Sequence, residues 1–171
     1  LVRVDDSVAG VRPLPADGEQ PAATPFFYRR ARGYVPRPVM LPEAWGSDLP
    51  CVLGAGGELK ATLCLTRGNE AFVSQHVGDL ENAPTFGFYE EVARHLQDLL
   101  EVRPAAVVCD LHPDFLSTRH ATELARREGL PLWHLQHHAA HAASVLTEHG
   151  HTGPALALTL DGTGLGTDRS I

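Results

Sequence analysis

The sequence predicts an α/β domain built on a mixed sheet: a three-strand antiparallel meander, followed by alternating helices and strands. Short apolar runs punctuated by glycine read as strands joined by tight turns; these are Cys51 to Ala55, Leu59 to Thr66 and Ala71 to Gln75. Longer stretches with an apolar residue every three or four positions read as helices. From Thr85 onward the two kinds alternate, which is the order of a sheet with helices on its faces.

The elements follow in order. Leu1-Val-Arg-Val alternates like a strand end, and Asp5-Asp-Ser is a turn signal. Val11 to Pro25 is rich in Pro, Ala, Gly and Asp and reads as a loop or a short hairpin excursion. A dense basic run, Arg29-Arg-Ala-Arg-Gly-Tyr, leads into Pro36, Pro38 and Pro42, which mark an extended connector. A domain boundary is expected near residues 38–48, so that 1–42 end one unit and 43–171 form the next. The meander comes first in the second unit, with turns at Gly54, Gly56-Gly57 and Arg67-Gly-Asn. Phe88, Val92, Leu96, Leu99 and Leu100 give a helical stripe over Thr85 to Val102, ended by Pro104. Ala105 to Cys109 is a buried strand. Ser117 to Glu128 is a helix, capped by Ser117 or Thr118 and stopped by Gly129. Leu130 to Leu135 is a strand, Ala139 to His149 a helix closed by Gly150, and Pro154 to Leu160 a last strand ending at Asp161. A meander followed by αβαβ is the order of the ribonuclease-H-like lobe of actin, hexokinase and Hsp70-type nucleotide-binding domains.

Composition narrows the function classes. The chain has 171 residues and is 43% hydrophobic, as expected for a globular fold. A formal net charge of -7 argues against nucleic acid as the main partner. No apolar run approaches the roughly 20 residues of a membrane span, and no charged segment precedes a short apolar one. Cys51, Cys64 and Cys109 are an odd, widely spaced set in apolar surroundings, read as buried thiols in a reducing cytoplasm. The chain lacks an initiator Met and stops soon after a glycine-rich turn, so a piece of a longer protein is expected.

The sharpest chemical feature is Gln136-His-His-Ala-Ala-His141. On a helix, His137 and His141 share one face at a spacing suited to one divalent metal, zinc or iron by donor type. Alone, such a pair also fits a polar helix start. Here it follows a buried strand, where α/β sheets place their ligands. His138 points elsewhere on the helix. Asp161-Gly-Thr-Gly-Leu-Gly166 is the second feature. Its carboxylate can take a cation, and Gly162, Gly164 and Gly166 allow backbone to approach phosphate oxygens. A plain hairpin turn is the bland alternative. A metal at the two histidines wants an oxygen ligand, and Asp161 is the candidate. Weaker features are Asp110-Leu-His112-Pro-Asp114, where His112 and Asp110 can position a substrate, and Ser74-Gln-His76-Val-Gly-Asp79. Lys60 interrupts an otherwise apolar strand and reads as a solvated face or a phosphate contact. Arg29, Arg30 and Arg32 are either a surface basic run or a triphosphate clamp. A metallopeptidase reading lacks the general-base Glu beside the first histidine.

Six strings in order resemble the HypF family of hydrogenase-maturation carbamoyltransferases: Arg29-Arg-Ala-Arg-Gly-Tyr-Val-Pro, Gly57-Glu-Leu-Lys-Ala-Thr-Leu-Cys-Leu, Ser74-Gln-His-Val-Gly-Asp-Leu-Glu-Asn, Asp110-Leu-His-Pro-Asp-Phe-Leu-Ser-Thr, Gln136-His-His-Ala-Ala-His and Asp161-Gly-Thr-Gly-Leu-Gly. The resemblance implies that residues 1–42 are the end of a YrdC-like domain with its linker. Residues 43–171 would be the incomplete first lobe of the carbamoyltransferase domain. It implies that carbamoyl phosphate and ATP, with magnesium, give carbamoyl-adenylate, whose carbamoyl group passes to the C-terminal cysteine of the partner HypE. His137, His141 and Asp161 then match the metal ligands, with a further Asp from an absent lobe. The Asp161 turn matches a phosphate-binding turn, and Ser7 with Arg29, Arg30 and Arg32 falls where ATP is bound. Lys60, His76, Asp79 and His112 fall in the matching strings as candidate catalytic residues. The family reads His-His-His-Ala-His where this chain has Ala139, which leaves the ligand pair intact and puts a helper role of the middle histidine in doubt. Two readings stay beside it: an O-carbamoyltransferase acting on a small-molecule hydroxyl, and a metal- and nucleotide-binding lobe without turnover.

Overall fold

The computed structural model describes residues 5–12, 24–162, 164–168 and 170. Strand β1 (Val8–Arg12) pairs antiparallel with β2 (Thr24–Arg29), so a hairpin flanks the Pro- and Ala-rich excursion. The strand end expected at Leu1 to Val4 lies outside the described residues, as do residues 13–23 of the excursion.

The main sheet has six strands: β3 (Val39–Met40), β4 (Val52–Gly54), β5 (Cys64–Arg67), β6 (Glu70–Val73), β7 (Ala106–Asp110) and β8 (Leu132–Leu135). Their order is β3-β6-β5-β4-β7-β8. The first four are joined antiparallel, and β4, β7 and β8 run parallel. The meander and the parallel half are both as expected, in an order compatible with the ribonuclease-H-like reading. β3 was not expected. Pro38 and Pro42 flank it, and a two-residue strand at the sheet edge tolerates prolines whose neighbours need no ladder partner.

Helix α1 (Ala83–Leu100) starts at Asn82, whose side chain accepts from the Thr85 N–H. It buries Tyr89, Val92, Ala93, Leu96 and Leu100 against Leu53, Leu63, Leu65 and Val107 of the sheet region. Each such large side chain contributes roughly 1.5–3 kcal/mol by leaving water. Tyr89 is fully buried and donates its hydroxyl to the Ala55 carbonyl at 2.6 Å, which satisfies its polar end. Helix α2 (Leu116–Glu128) joins the same core through Ala121, Leu124 and Ala125. Helix α3 (His137–Glu148) buries no residue.

Several sequence expectations change. The strand expected from Leu59 begins only at Cys64, because residues 58–60 turn and only a single bridge, Ala61 to Gly78, precedes it. Gly56 enforces that turn: its φ is +70°, and a Cβ there would lie 2.3 Å from the Thr62 carbonyl oxygen. The α2 cap is Phe115 rather than Ser117 or Thr118. Ser117 is buried inside the first turn, and the Thr118 hydroxyl donates to the Asp110 carbonyl instead. Gly129 does end α2 in the left-handed region. Pro154 to Leu160 is not a strand. Its Leu156, Leu158 and Leu160 alternate as a strand would, yet the segment pairs with no sheet edge and runs beside Val145 and Leu146 of α3. A period of two makes a strand only where a partner supplies hydrogen bonds. Of the three thiols only Cys109 is buried; Cys51 and Cys64 are partly exposed. Among the described residues no helix is long and apolar enough to cross a membrane.

Candidate functional site

The site lies where β7 and β8 end. In the parallel register Asp110 pairs with Leu135, so the last residue of β7 stands two positions from the first residue of α3. Gln136 caps α3, its Oε1 accepting from the Ala139 N–H at 2.8 Å. His137 therefore occupies the first helical position, and His141 lies one turn on, on the same face.

Two imidazoles and one carboxylate converge there. The His137 and His141 Nε2 atoms are 3.2 Å apart. Asp161 Oδ2 lies 3.0 Å from His137 Nε2 and 3.5 Å from His141 Nε2. Among the described residues these three side chains form a group able to hold a metal ion. The spacing fits one: ligand atoms on a tetrahedral zinc sit about 3.3 Å apart, given metal–ligand distances near 2.0–2.1 Å. The donor chemistry fits too. Two ring nitrogens at 3.2 Å cannot both carry protons toward each other, and a lone pair aimed at a carboxylate oxygen is repulsive unless a cation lies between. Burial pushes the Asp161 carboxyl up, but the hydrogen bond from His138 and the fields of His138, His137 and His141 outweigh it and hold it below the ordinary range. It is thus ionised at neutral pH, as a ligand must be.

Two neighbours brace this group. His137 Nδ1 is 2.6 Å from Asp110 Oδ2. His138 Nε2 is 2.8 Å from Asp161 Oδ1, and Gln136 Nε2 lies 3.1 Å from His138 Nδ1. Gln136 donates, so His138 Nδ1 accepts and its Nε2–H points to Asp161. Sequence reasoning sent His138 away from the site and gave Asp110 a substrate role. The signal for Asp110 was present in two strand ends, but only the parallel register joins them.

The glycine turn is placed unevenly. A Cβ on Gly164 would lie 2.6 Å from the His138 ring, so a larger residue there would have to push the ring from this position. Gly162 faces open space, and the Gly166 N–H donates to the Ser170 carbonyl. Beside the triad a groove of about 390 Å³ runs between α3 and the sheet, lined by Gly54, Gly57, Cys64, Val108, Ala140 and Ser144, among others. Burial pushes the Cys64 and Cys109 thiols up to about 11, so neither is a thiolate at neutral pH.

The other candidates lie outside this triad. Arg29 pairs with Asp5 and Arg32 with Asp6, while Arg30 donates to the Arg37 carbonyl. The Ser7 hydroxyl accepts from the Ala31 N–H and donates to the Arg32 carbonyl. These four residues thus share one corner, held by local acids and backbone. His76 stands beside it: burial lowers its pKa, with Arg29 and Lys60 adding to the effect and Asp5 opposing it. Asp79 accepts from the Glu81 N–H in a turn. The His112 ring stacks on Phe115 at 4.4 Å, and its backbone N–H donates to Asp110.

A family model described as the HypF Kae1-like domain matches residues 47–148. The chain is 56% identical over 168 residues to the carbamoyltransferase HypF2 of Cupriavidus necator and 49% identical over 168 residues to the carbamoyltransferase HypF of Rhizobium leguminosarum bv. viciae. Each match covers 98% of this chain and 20% of the relative, so the chain spans about a fifth of their length. Among solved structures, full-length HypF in its phosphate- and nucleotide-bound form superposes with a TM-score of 0.84 at 38% identity, covering 98% of this chain and 20% of that one. HypF of T. kodakarensis gives 0.79 at 32%, covering 97% and 20%.

Proposed function

The chain belongs to the HypF family, and on that premise we propose that it carries the first lobe of a carbamoyl-transfer site. The observation that carries the reading is the convergence of His137 Nε2, His141 Nε2 and Asp161 Oδ2 within 3.0 to 3.5 Å. In this reading the three side chains hold one divalent metal, zinc or iron, and the remaining protein supplies a further Asp. A metal so held polarises carbamoyl or phosphate oxygens as a Lewis acid.

The chain's own residues do the rest. The Asp161 glycine turn, close against His138, offers backbone to phosphate oxygens of the carbamoyl-adenylate. The groove beside α3 leaves room for substrate next to the imidazoles. Arg29, Arg30 and Arg32, with Ser7, Lys60 and His76, form a side suited to the phosphates of ATP, with Asp5 and Asp6 paired to Arg29 and Arg32 beside them; magnesium would be held by the phosphate oxygens. Asp79 and His112 remain candidate catalytic residues from the matching strings only. The nucleotide-bound state in which a relative was solved supports the nucleotide part of this reading. The whole protein, in this reading, hydrolyses carbamoyl phosphate to carbamate and phosphate and joins the carbamate to ATP in the cytoplasm, releasing pyrophosphate and later AMP when the carbamoyl group is transferred. It then passes the carbamoyl group to the C-terminal cysteine of HypE, as a step in hydrogenase maturation. The protonated state of Cys64 and Cys109 argues against a thiol carrier within this lobe.

The test is mass spectrometry of HypE after incubation with carbamoyl phosphate, ATP and magnesium. The full-length protein is expected to add a carbamoyl mass to the terminal cysteine. Residues 1–171 alone, and the full-length His137→Ala variant, are expected to add none. Undiminished transfer by His137→Ala contradicts the proposal.

A further inference from the structure

We propose that Asp110 is the positioning residue for His137, setting which ring nitrogen faces the ligand group; this rests on the metal reading above. An imidazole binds a metal only through a nitrogen bearing a lone pair, and a neutral ring has one such nitrogen and one N–H. Asp110 Oδ2 sits 2.6 Å from His137 Nδ1, a short, charge-assisted distance. With the proton held on Nδ1, Nε2 carries the lone pair, and Nε2 is the atom facing His141 and Asp161.

Burial makes the case specific to Asp110. Its side chain is 6% exposed, and a buried carboxylate without a partner is costly. Among the described residues no Lys or Arg pairs with it, and His137 is its ion-pair partner. Its second oxygen accepts from the His112 N–H at 2.8 Å, which fixes the carboxylate plane. The Thr118 hydroxyl holds the carbonyl of the same residue. The result is a carboxylate–histidine line anchored at the end of an interior strand and aimed at the position a metal would take beside α3. Among the described residues His141 shows no comparable brace: its ring contacts are to His137 and Asp161. The two histidines are therefore unequal, one aimed by the sheet and one carried by the helix.

The experiment uses the full-length protein, stripped of metal and titrated with zinc against a chromophoric chelator. Asp110→Asn keeps an acceptor of the same shape but loses the charge; Asp110→Ala loses both. The expected order of affinity is wild type, then Asn about 10-fold weaker, then Ala about 100-fold weaker. At saturating cobalt(II), Asp110→Ala is also expected to show altered visible bands, because the His137 ring is no longer held. A residue needed only for folding would lower the apo melting temperature and leave those bands alone. If Asp110→Ala does not fold, the Asn variant carries the test. Wild-type affinity and spectrum in Asp110→Asn would overturn the Asp110 role while leaving the metal site standing. Absence of zinc binding by the wild-type protein would overturn both.

Discussion

Helices α2 and α3 leave adjacent parallel strands at the same end of the sheet, yet they are held in opposite ways. α2 buries Ser117, Thr118, Ala121, Leu124 and Ala125. α3 buries nothing, and leaves a groove between itself and the sheet. What fixes α3 is polar and concentrated at its first turn: Asp110 on His137, Gln136 on the Ala139 N–H, and His138 on Asp161. Within residues 1–171 the candidate ligands on a helix thus stand on the one that contributes least to the core.

The largest effect expected from this contrast is on stability. Leu124→Ala in α2 should cost about 2–5 kcal/mol, because Leu124 is 6% exposed inside the shared core. In the 171-residue chain, Val145→Ala in α3, at a position 55% exposed, should stay within about 0.5 kcal/mol. Urea unfolding of the metal-free protein measures both, and similar losses would erase the contrast.

The next effect is on ligand geometry. His138→Ala removes the hydrogen bond that turns Asp161 Oδ1 away and leaves Oδ2 for the metal. Zinc affinity should fall about 10-fold with the apo melting temperature unchanged. Chelator competition measures the first and scanning calorimetry the second. An unchanged affinity would return His138 to the surface role that its helical position alone suggests.

The smallest effect is a pH dependence on the packed side. His120 of α2 lies 5.4 Å from the Tyr89 ring and 3.5 Å from Glu90 of α1. Burial lowers its pKa more than Glu90 raises it. The unfolded chain then takes up this proton at higher pH than the folded one. Its contribution is therefore complete above about pH 6.5 and lost as pH falls through the folded value. His120→Phe should flatten that part of the stability–pH curve in urea titrations, and an unchanged slope would show that another group sets it.

Much of this arrangement is legible in the sequence where local signals and tertiary structure agree. The stripe from Phe88 to Leu100 marks α1, and the glycine-separated apolar runs mark the meander. The His137–His141 spacing marks a shared helical face. What escaped depends on pairing. Residues 154–160 carry strand alternation without an edge to join, and Val39–Met40 carry almost no strand signal yet complete one. Asp110 reads in the sequence as a substrate-positioning residue, because its contact with His137 comes from the Asp110–Leu135 register, a parallel contact across 25 positions that no local pattern encodes. His138 was read from helix geometry alone, and the chain returning at Asp161 and Gly164 gives it a partner.

In the proposed reading, α3 and Asp161 together hold one divalent metal. The most direct measurement is elemental analysis of the full-length protein and its His141→Ala variant, both loaded with zinc and passed through the same desalting step. Zinc is expected to stay bound at this site in the wild type and to be lost from His141→Ala. Equal metal content in the two proteins would contradict it.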